Sequence, residues 1–261
     1  MPYFKPEENI ELYYEEHGSG ETLIFVNGIV FTTASWHFQK VYFRKQFRTV
    51  LYDMRCQGQS SNDMDSLNYG DQVEDLAKFV SFLMKDQENK KVHLCGLSYG
   101  SFVAKEFAVR YPDLIKKLIL IAPVRKVDFI TSFFYKSWND LLEKKDLDGF
   151  YDITLTGSYV NMRKHLSERV YNLAINKFKE LFTPEAILKL LHSFDRESIF
   201  ANYPEITVPT LVIGASHDNL HNPEDGKVIA SEIENAQFIT INGGHAINIE
   251  NAEEINQAIE K

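Results

Sequence analysis

The stretch Gly96-Leu97-Ser98-Tyr99-Gly100 sets one serine between two glycines. Val92 to Cys95, just before it, is short and mostly apolar, as a strand inside a parallel sheet should be. Phe102, Val103, Ala104 and Phe107 follow at helical spacing, and the helix is expected to stop near Tyr111-Pro112. A strand that runs into a helix with almost no loop forces the residue at the bend into a strained backbone. Its neighbours must be small so that strand and helix can approach, a need met by Gly96 and Gly100. The bend would leave the Ser98 hydroxyl at the tip, with the Tyr99 N–H aimed at the same spot. That is the chemistry of a nucleophile with a ready anion donor. A glycine turn with a serine N-cap has the same pattern, so the rest of the chain must supply a base and an acid.

A base is available at His245, in Asn242-Gly243-Gly244-His245-Ala246, just past the last predicted strand. An acid is available at Asp218, in Gly214-Ala215-Ser216-His217-Asp218-Asn219, just past the strand before. Alone, His245 would read as a structural or solvated histidine and Asp218 as a turn residue. Together, Ser98, Asp218 and His245 follow the order Ser…Asp…His, each beyond a predicted strand end. Nothing acidic follows Ile121 in Ala122-Pro123-Val124, so the other usual place for the acid is empty. Leu23-Ile24-Phe25-Val26 is a further apolar strand and ends in Asn27-Gly28-Ile29-Val30. Strand ends of this kind leave backbone N–H groups free where ligands bind in open α/β sheets. Ile29 N–H is therefore the candidate partner of Tyr99 N–H in an oxyanion hole. His217 and His221 have the spacing of a metal pair, but they lie in a loop with Pro223 behind and no Glu between them. No metal and no cofactor are expected.

The elements that must position these residues alternate. A hairpin is predicted over residues 3–16, then strands at 23–26, 49–52, 92–95 and 118–121 with helices between, which implies a parallel sheet covered on both faces. From about Val124 to Pro204 the alternation stops, and the segment turns helical in pattern and rich in aromatics. Strands return at Thr210–Ile213 and Phe238–Ile241, around a helix at 224–232. A last helix starts from Asn251, where Glu254 three places on suggests a capping box. The expected division is a core of residues 1–123 and 205–261 and a helical cap of residues 124–204 over the strand ends. Gly28, Val30, Phe129, Phe133 and Trp138 are the candidate substrate-binding residues. Phe129, Phe133, Phe134, Tyr135 and Trp138 cannot all share one helix face. Some should therefore face the serine and make an apolar acyl site. A carboxylate-bearing substrate would instead require a cation such as Arg125 or Arg163.

Composition narrows the class. The chain has 261 residues, 28 Lys and Arg against 37 Asp and Glu, and a net charge of −9. That excess of acid argues against nucleic acid or an anionic membrane as the main partner. There is no apolar run long enough to span a bilayer and no signal-peptide pattern at the start. Cys56 and Cys95 are the only cysteines and lack metal spacing. They are read as free thiols, which fits a cytoplasmic location. The expected partner is a small molecule, and nothing specifies an oligomeric state.

With these motifs in hand, the chain resembles the α/β-hydrolase superfamily over nearly its whole length. The resemblance rests on the elbow at Ser98, the acid loop at Asp218, Gly244-His245, and Tyr52-Asp53-Met54-Arg55-Cys56-Gln57-Gly58-Gln59-Ser60. It is closest to the small esterase and enol-lactone hydrolase branch. The resemblance implies an eight-stranded, mostly parallel sheet flanked by helices, and cleavage of an ester or lactone through an acyl-enzyme. Asn27 stands where the family usually has His, as in relatives similar to enol-lactone hydrolases. Cys56 replaces the usual Gly, and a local backbone adjustment is expected there. A serine at the elbow separates the chain from the dehalogenases and epoxide hydrolases, which use Asp. A thioesterase or acyl transferase, a carbon–carbon bond hydrolase, and a non-catalytic small-molecule binder are the alternative functions.

Overall fold

The computed structural model describes residues 2–62, 64–160, 167–193 and 202–261. Eight strands form one sheet in the order β1-β2-β4-β3-β5-β6-β7-β8. β1 (Tyr3–Glu7) and β2 (Ile10–His17) make an antiparallel hairpin, and β2 joins β4 (Arg48–Tyr52) antiparallel. From β4 onward every pairing is parallel, through β3 (Thr22–Val26), β5 (Val92–Leu97), β6 (Ile115–Ile121), β7 (Thr210–Ala215) and β8 (Ala236–Ile241). The α/β class read from the alternation is therefore the observed one.

Side chains alternate along a strand, so a sheet covered on both faces needs apolar residues at every position. The central strands meet that condition. Ile24, Val26, Val50, Tyr52 and Leu94 face a core shared with Val73, Phe79, Phe102 and Phe107. These last belong to helices α2 (Tyr69–Leu83) and α3 (Tyr99–Arg110). Leu23, Phe25, Leu51 and Cys95 face the opposite core, with Trp36, Phe43 and Ile255. Phe43 lies on α1 (His37–Phe43) and Ile255 on the last helix, Ala252–Glu260.

Between β6 and β7 the described residues form helices α4 (Phe129–Glu143), α5 (Leu147–Ser158), α6 (Glu168–Leu181) and α7 (Pro184–His192). Each opens on a side-chain cap: Asp128, Asp146, Ser167 and Thr183 accept from the N–H of Thr131, Gly149, Val170 and Ala186. Aromatic rings join them, with Trp138 against Phe150 at 6.1 Å, Phe150 against Phe178 at 6.1 Å and Phe178 against Phe182 at 4.9 Å. Among the described residues no helix is long and apolar enough to cross a membrane.

The chain departs from one local expectation. Asn251 does not cap the last helix; its amide donates to the Glu254 carboxylate at 2.7 Å and to the Asn242 carbonyl at 3.3 Å. A short helix, Ile247–Glu250, runs straight into that position, so Asn251 lies in a junction rather than at a free helix start. The capping box occurs instead at Asn68 and Asp71, where α2 begins.

At the bend between β5 and α3, backbone packs directly against backbone. A Cβ on Gly96 would meet the Gly100 carbonyl oxygen at 2.2 Å, and one on Gly100 would meet the Val26 oxygen at 2.3 Å. Backbone atoms cannot swing aside as a flexible side chain can. Gly96→Ala should therefore lower unfolding free energy by about 2 kcal/mol or more, the cost of overpacking a dense core. Urea denaturation measures the loss.

Candidate active site

Ser98 sits at this bend with φ 54° and ψ −119°, in a backbone region that side chains rarely adopt. The surroundings hold it there: Ser98 N–H donates to the Ile121 carbonyl at 2.9 Å, and Ser101 N–H and hydroxyl both donate to the Ser98 carbonyl. Strain held in this way is characteristic of a nucleophile elbow. The Ser98 hydroxyl has no hydrogen-bond partner among the described residues.

The loop after β3 lies alongside. A Cβ on Gly28 would come within 3.3 Å of Ser98 Cβ, so glycine lets this loop close on the serine. Val30 follows with φ 57°. Asn27, in place of the family's His, is fully buried and tied on three sides. Its Oδ1 accepts from Trp36 Nε1–H at 2.7 Å, and its amide donates to the Tyr52 carbonyl at 3.0 Å and to Asp53 Oδ1 at 3.2 Å. Asp53 also accepts from Thr33 N–H at 2.8 Å and Gln59 N–H at 3.0 Å. Burial pushes its carboxyl up to about 6 against these donors. The Asp53 side chain thus joins the glycine loop to the segment around Cys56. Cys56 itself has φ 63°, the left-handed conformation a glycine adopts freely, so the backbone there keeps a glycine-like path with cysteine in place. Its thiol and that of Cys95 are free and buried.

Asp218 and His245 meet beyond the ends of β7 and β8. His245 Nδ1 lies 2.7 Å from Asp218 Oδ2, and Oδ1 accepts from Leu220 N–H and His221 N–H, each at 2.9 Å. A carboxylate only accepts, so the His245 proton toward Asp218 is on Nδ1 and Nε2 is left as the basic nitrogen. Burial pushes the Asp218 carboxyl up, but the His245 charge and hydrogen bond, with His221, outweigh it and hold the group below the usual carboxylate range.

A cavity of about 40 Å³ lies over Ser98, lined among others by Gly28, Ile29, Val30, Tyr99, Trp138 and His245. The far wall comes from α4 and α5, through Tyr135, Trp138, Phe150, Thr154 and Ser158. Ile29 N–H has no hydrogen-bond partner among the described residues. Two expected residues are elsewhere: Phe129 is 81% exposed and Phe133 53% exposed, and neither borders the cavity. The helix has only one inward face, and Tyr135 and Trp138 fill it. Arg125 is held by Glu232 at 2.7 Å and also does not border the cavity, and Arg163 lies outside the described residues.

His221 is the residue that sequence reasoning missed at the site. It borders the cavity, and its ring centroid is 4.6 Å from that of His245. Considered only with His217 as a metal pair, it carried no signal, because the loop turns inward after Asp218. His217 stays exposed beside the Ser216 hydroxyl. Asp218, His221 and His245 bring possible ligand atoms within 4.8 Å of one another, but the 2.7 Å contact commits Oδ2 and Nδ1 to each other.

Burial lowers the His221 pKa to about 4, with the nearby His245 charge adding to the effect. The unfolded chain takes up this proton at higher pH than the native chain does. His221 therefore contributes stability at neutral pH that is lost as pH falls from about 6.5 toward 4. In His221→Gln the fall of Tm over this window should be shallower than in the wild type, by the equivalent of up to about 3 kcal/mol. Thermal melts at matched ionic strength check it.

The family model described as serine aminopeptidase, S33 (Hydrolase_4) matches residues 22–251. The α/β hydrolase MGS-M2, from a Medee basin deep-sea metagenome library, superposes with TM-score 0.87 at 25% identity, over 99% of this chain and 95% of that one. The enol-lactonase from Burkholderia xenovorans LB400 gives TM-score 0.82 at 20% identity, over 99% and 98%. The (E)-2-((N-methylformamido)methylene)succinate hydrolase of Acinetobacter baylyi is 24% identical over 97% of this chain and 94% of its own. With the match to the family spanning most of the sheet and every strand-end loop described above, this chain belongs to the Hydrolase_4 family and is an α/β hydrolase.

Proposed function

We propose that the protein hydrolyses small carboxylic esters or lactones, with Ser98 as nucleophile, His245 as base and Asp218 as the partner that orients it. The observation that carries this reading is His245, held by Asp218 at 2.7 Å and bordering one cavity with the strained Ser98. Ser98 Oγ attacks the acyl carbonyl while His245 Nε2 takes its proton. The N–H groups of Ile29 and Tyr99 receive the charge that develops on the carbonyl oxygen, an effect worth roughly 3 kcal/mol per donor. The tetrahedral intermediate collapses, and the imidazolium gives its proton to the leaving alcohol. Water, deprotonated by His245, then attacks the acyl-enzyme, and the imidazolium returns its proton to Ser98 Oγ as the acid is released. The N–methylformamido succinate hydrolase and the enol-lactonase support hydrolysis of a small carbonyl substrate. Helices α4 and α5 act as a cap that covers the serine. Phe129 and Phe133 are exposed, so Trp138, Tyr135 and Phe150 are the aromatic contacts for the acyl group.

A fluorophosphonate should label Ser98 in the wild type, and Ser98→Ala should lose both labelling and turnover. Retained turnover within tenfold would move the nucleophile elsewhere. Asp218→Asn should lower kcat on the order of 10⁴-fold, since the imidazole would be held in the wrong tautomer. Aryl esters, enol-lactones and acyl thioesters assayed side by side identify the bond cleaved.

The aromatic wall of the cavity sets acyl length. Tyr135, Trp138 and Phe150 close the space over Ser98, so kcat/KM on uncharged aryl esters should pass through a maximum at a short acyl chain. Trp138→Ala should shift the optimum to a longer chain. Steady-state kinetics on the series measures both.

A further inference from the structure

The cavity wall carries a polar atom that the reaction above does not use. His221 Nδ1 lies 2.9 Å from the Ala122 carbonyl. A carbonyl only accepts, so the proton is on Nδ1 and Nε2 keeps its lone pair. The tautomer is held from both sides. Ala122 has φ 47° and is itself pinned by its N–H to the Ile213 carbonyl at 2.8 Å, while His221 N–H is bound to Asp218. Nε2 has no hydrogen-bond partner among the described residues, and His221, which borders the cavity, is only 8% exposed. Burial keeps the ring neutral, so at neutral pH Nε2 only accepts.

We propose that His221 Nε2 is the specificity acceptor for a hydroxyl carried by the substrate close to the scissile bond, so that the preferred substrates are hydroxy-substituted esters or lactones. A hydroxyl is a small uncharged donor, which is what the His221 acceptor requires. A site built to bind a substrate hydroxyl discriminates strongly against the analogue that lacks it, because its own buried acceptor is then left unpaired. The position is distinct from that of His245: His221 moves no proton and acts by selecting the substrate.

This inference rests on the ester and lactone reading, and one experiment separates the two. Ethyl butanoate is compared by pH-stat with ethyl 2-hydroxybutanoate, ethyl 3-hydroxybutanoate and 2-hydroxyethyl butanoate, which covers both sides of the scissile bond. Fluorophosphonate labelling of Ser98 is followed in parallel on every variant. The wild type should favour at least one hydroxy ester over the plain ester by tenfold or more in kcat/KM. In His221→Leu that ratio should fall below threefold while Ser98 still labels, and in His221→Gln, which keeps an acceptor oxygen, part of the preference should return. Hydrolysis of the plain ester with no hydroxy preference overturns the inference and leaves the esterase reading standing. A preference that survives unchanged in His221→Leu also overturns it. If no ester is cleaved and Ser98 does not label, the ester reading fails and the inference falls with it.

Discussion

The close approach of β5, α3 and β3 at the Ser98 bend is the constraint on which the rest of the site depends. Only hydrogen at Gly96 and Gly100 allows the backbones to come so near. At that approach Ser98 takes a positive φ and α3 starts at Tyr99. The serine thus stands at the carboxyl edge of the sheet, between the end of β5 and the start of α3. Parallel pairing with β6 then locks the bend through the Ser98–Ile121 hydrogen bond.

The loops opposite are held by buried polar groups rather than by packing alone. Asn27 and Asp53 share their hydrogen bonds among Trp36, Tyr52, Thr33 and Gln59. Removing any one partner leaves a buried acceptor or donor unpaired, which costs more than the bond itself contributes. Asp218 works in the same way at the other side of the site. Two backbone N–H groups take Oδ1 and so aim Oδ2 at His245. The loop fold after β7 is thus set by the carboxylate that also orients the imidazole.

The same turn accounts for His221. Once Asp218 draws the N–H groups of Leu220 and His221 toward its carboxylate, the loop closes on itself and carries the His221 ring inward. The inserted helices complete the enclosure with Trp138, Phe150 and Tyr135, and these rings are continuous with the core below. Their packing leaves a small cavity over Ser98.

Much of this was legible in the chain itself. The period of the apolar runs specified strands, helices and their order, because burial on both faces demands unbroken apolar strands. Gly96, Ser98 and Gly100 announced the bend, and Asp218 and His245 were marked by their places after strand ends. Other features had no local signature. Which aromatic of α4 faces inward depends on how that helix is rotated against α5 and the core, so Phe129 and Phe133 read the same as Trp138 in the sequence. Asn251 looked like a cap because the short helix before it is set by tertiary contacts. His221 needed the folded loop, since its meaning comes from the Ala122 carbonyl and the His245 ring, both far away in the chain. The sequence by itself determined the architecture and the order of the candidate site residues, because backbone sterics and apolar periodicity are local. Only the tertiary structure decided which side chains wall the cavity, because that depends on contacts between segments whose separation along the chain carries no record of them.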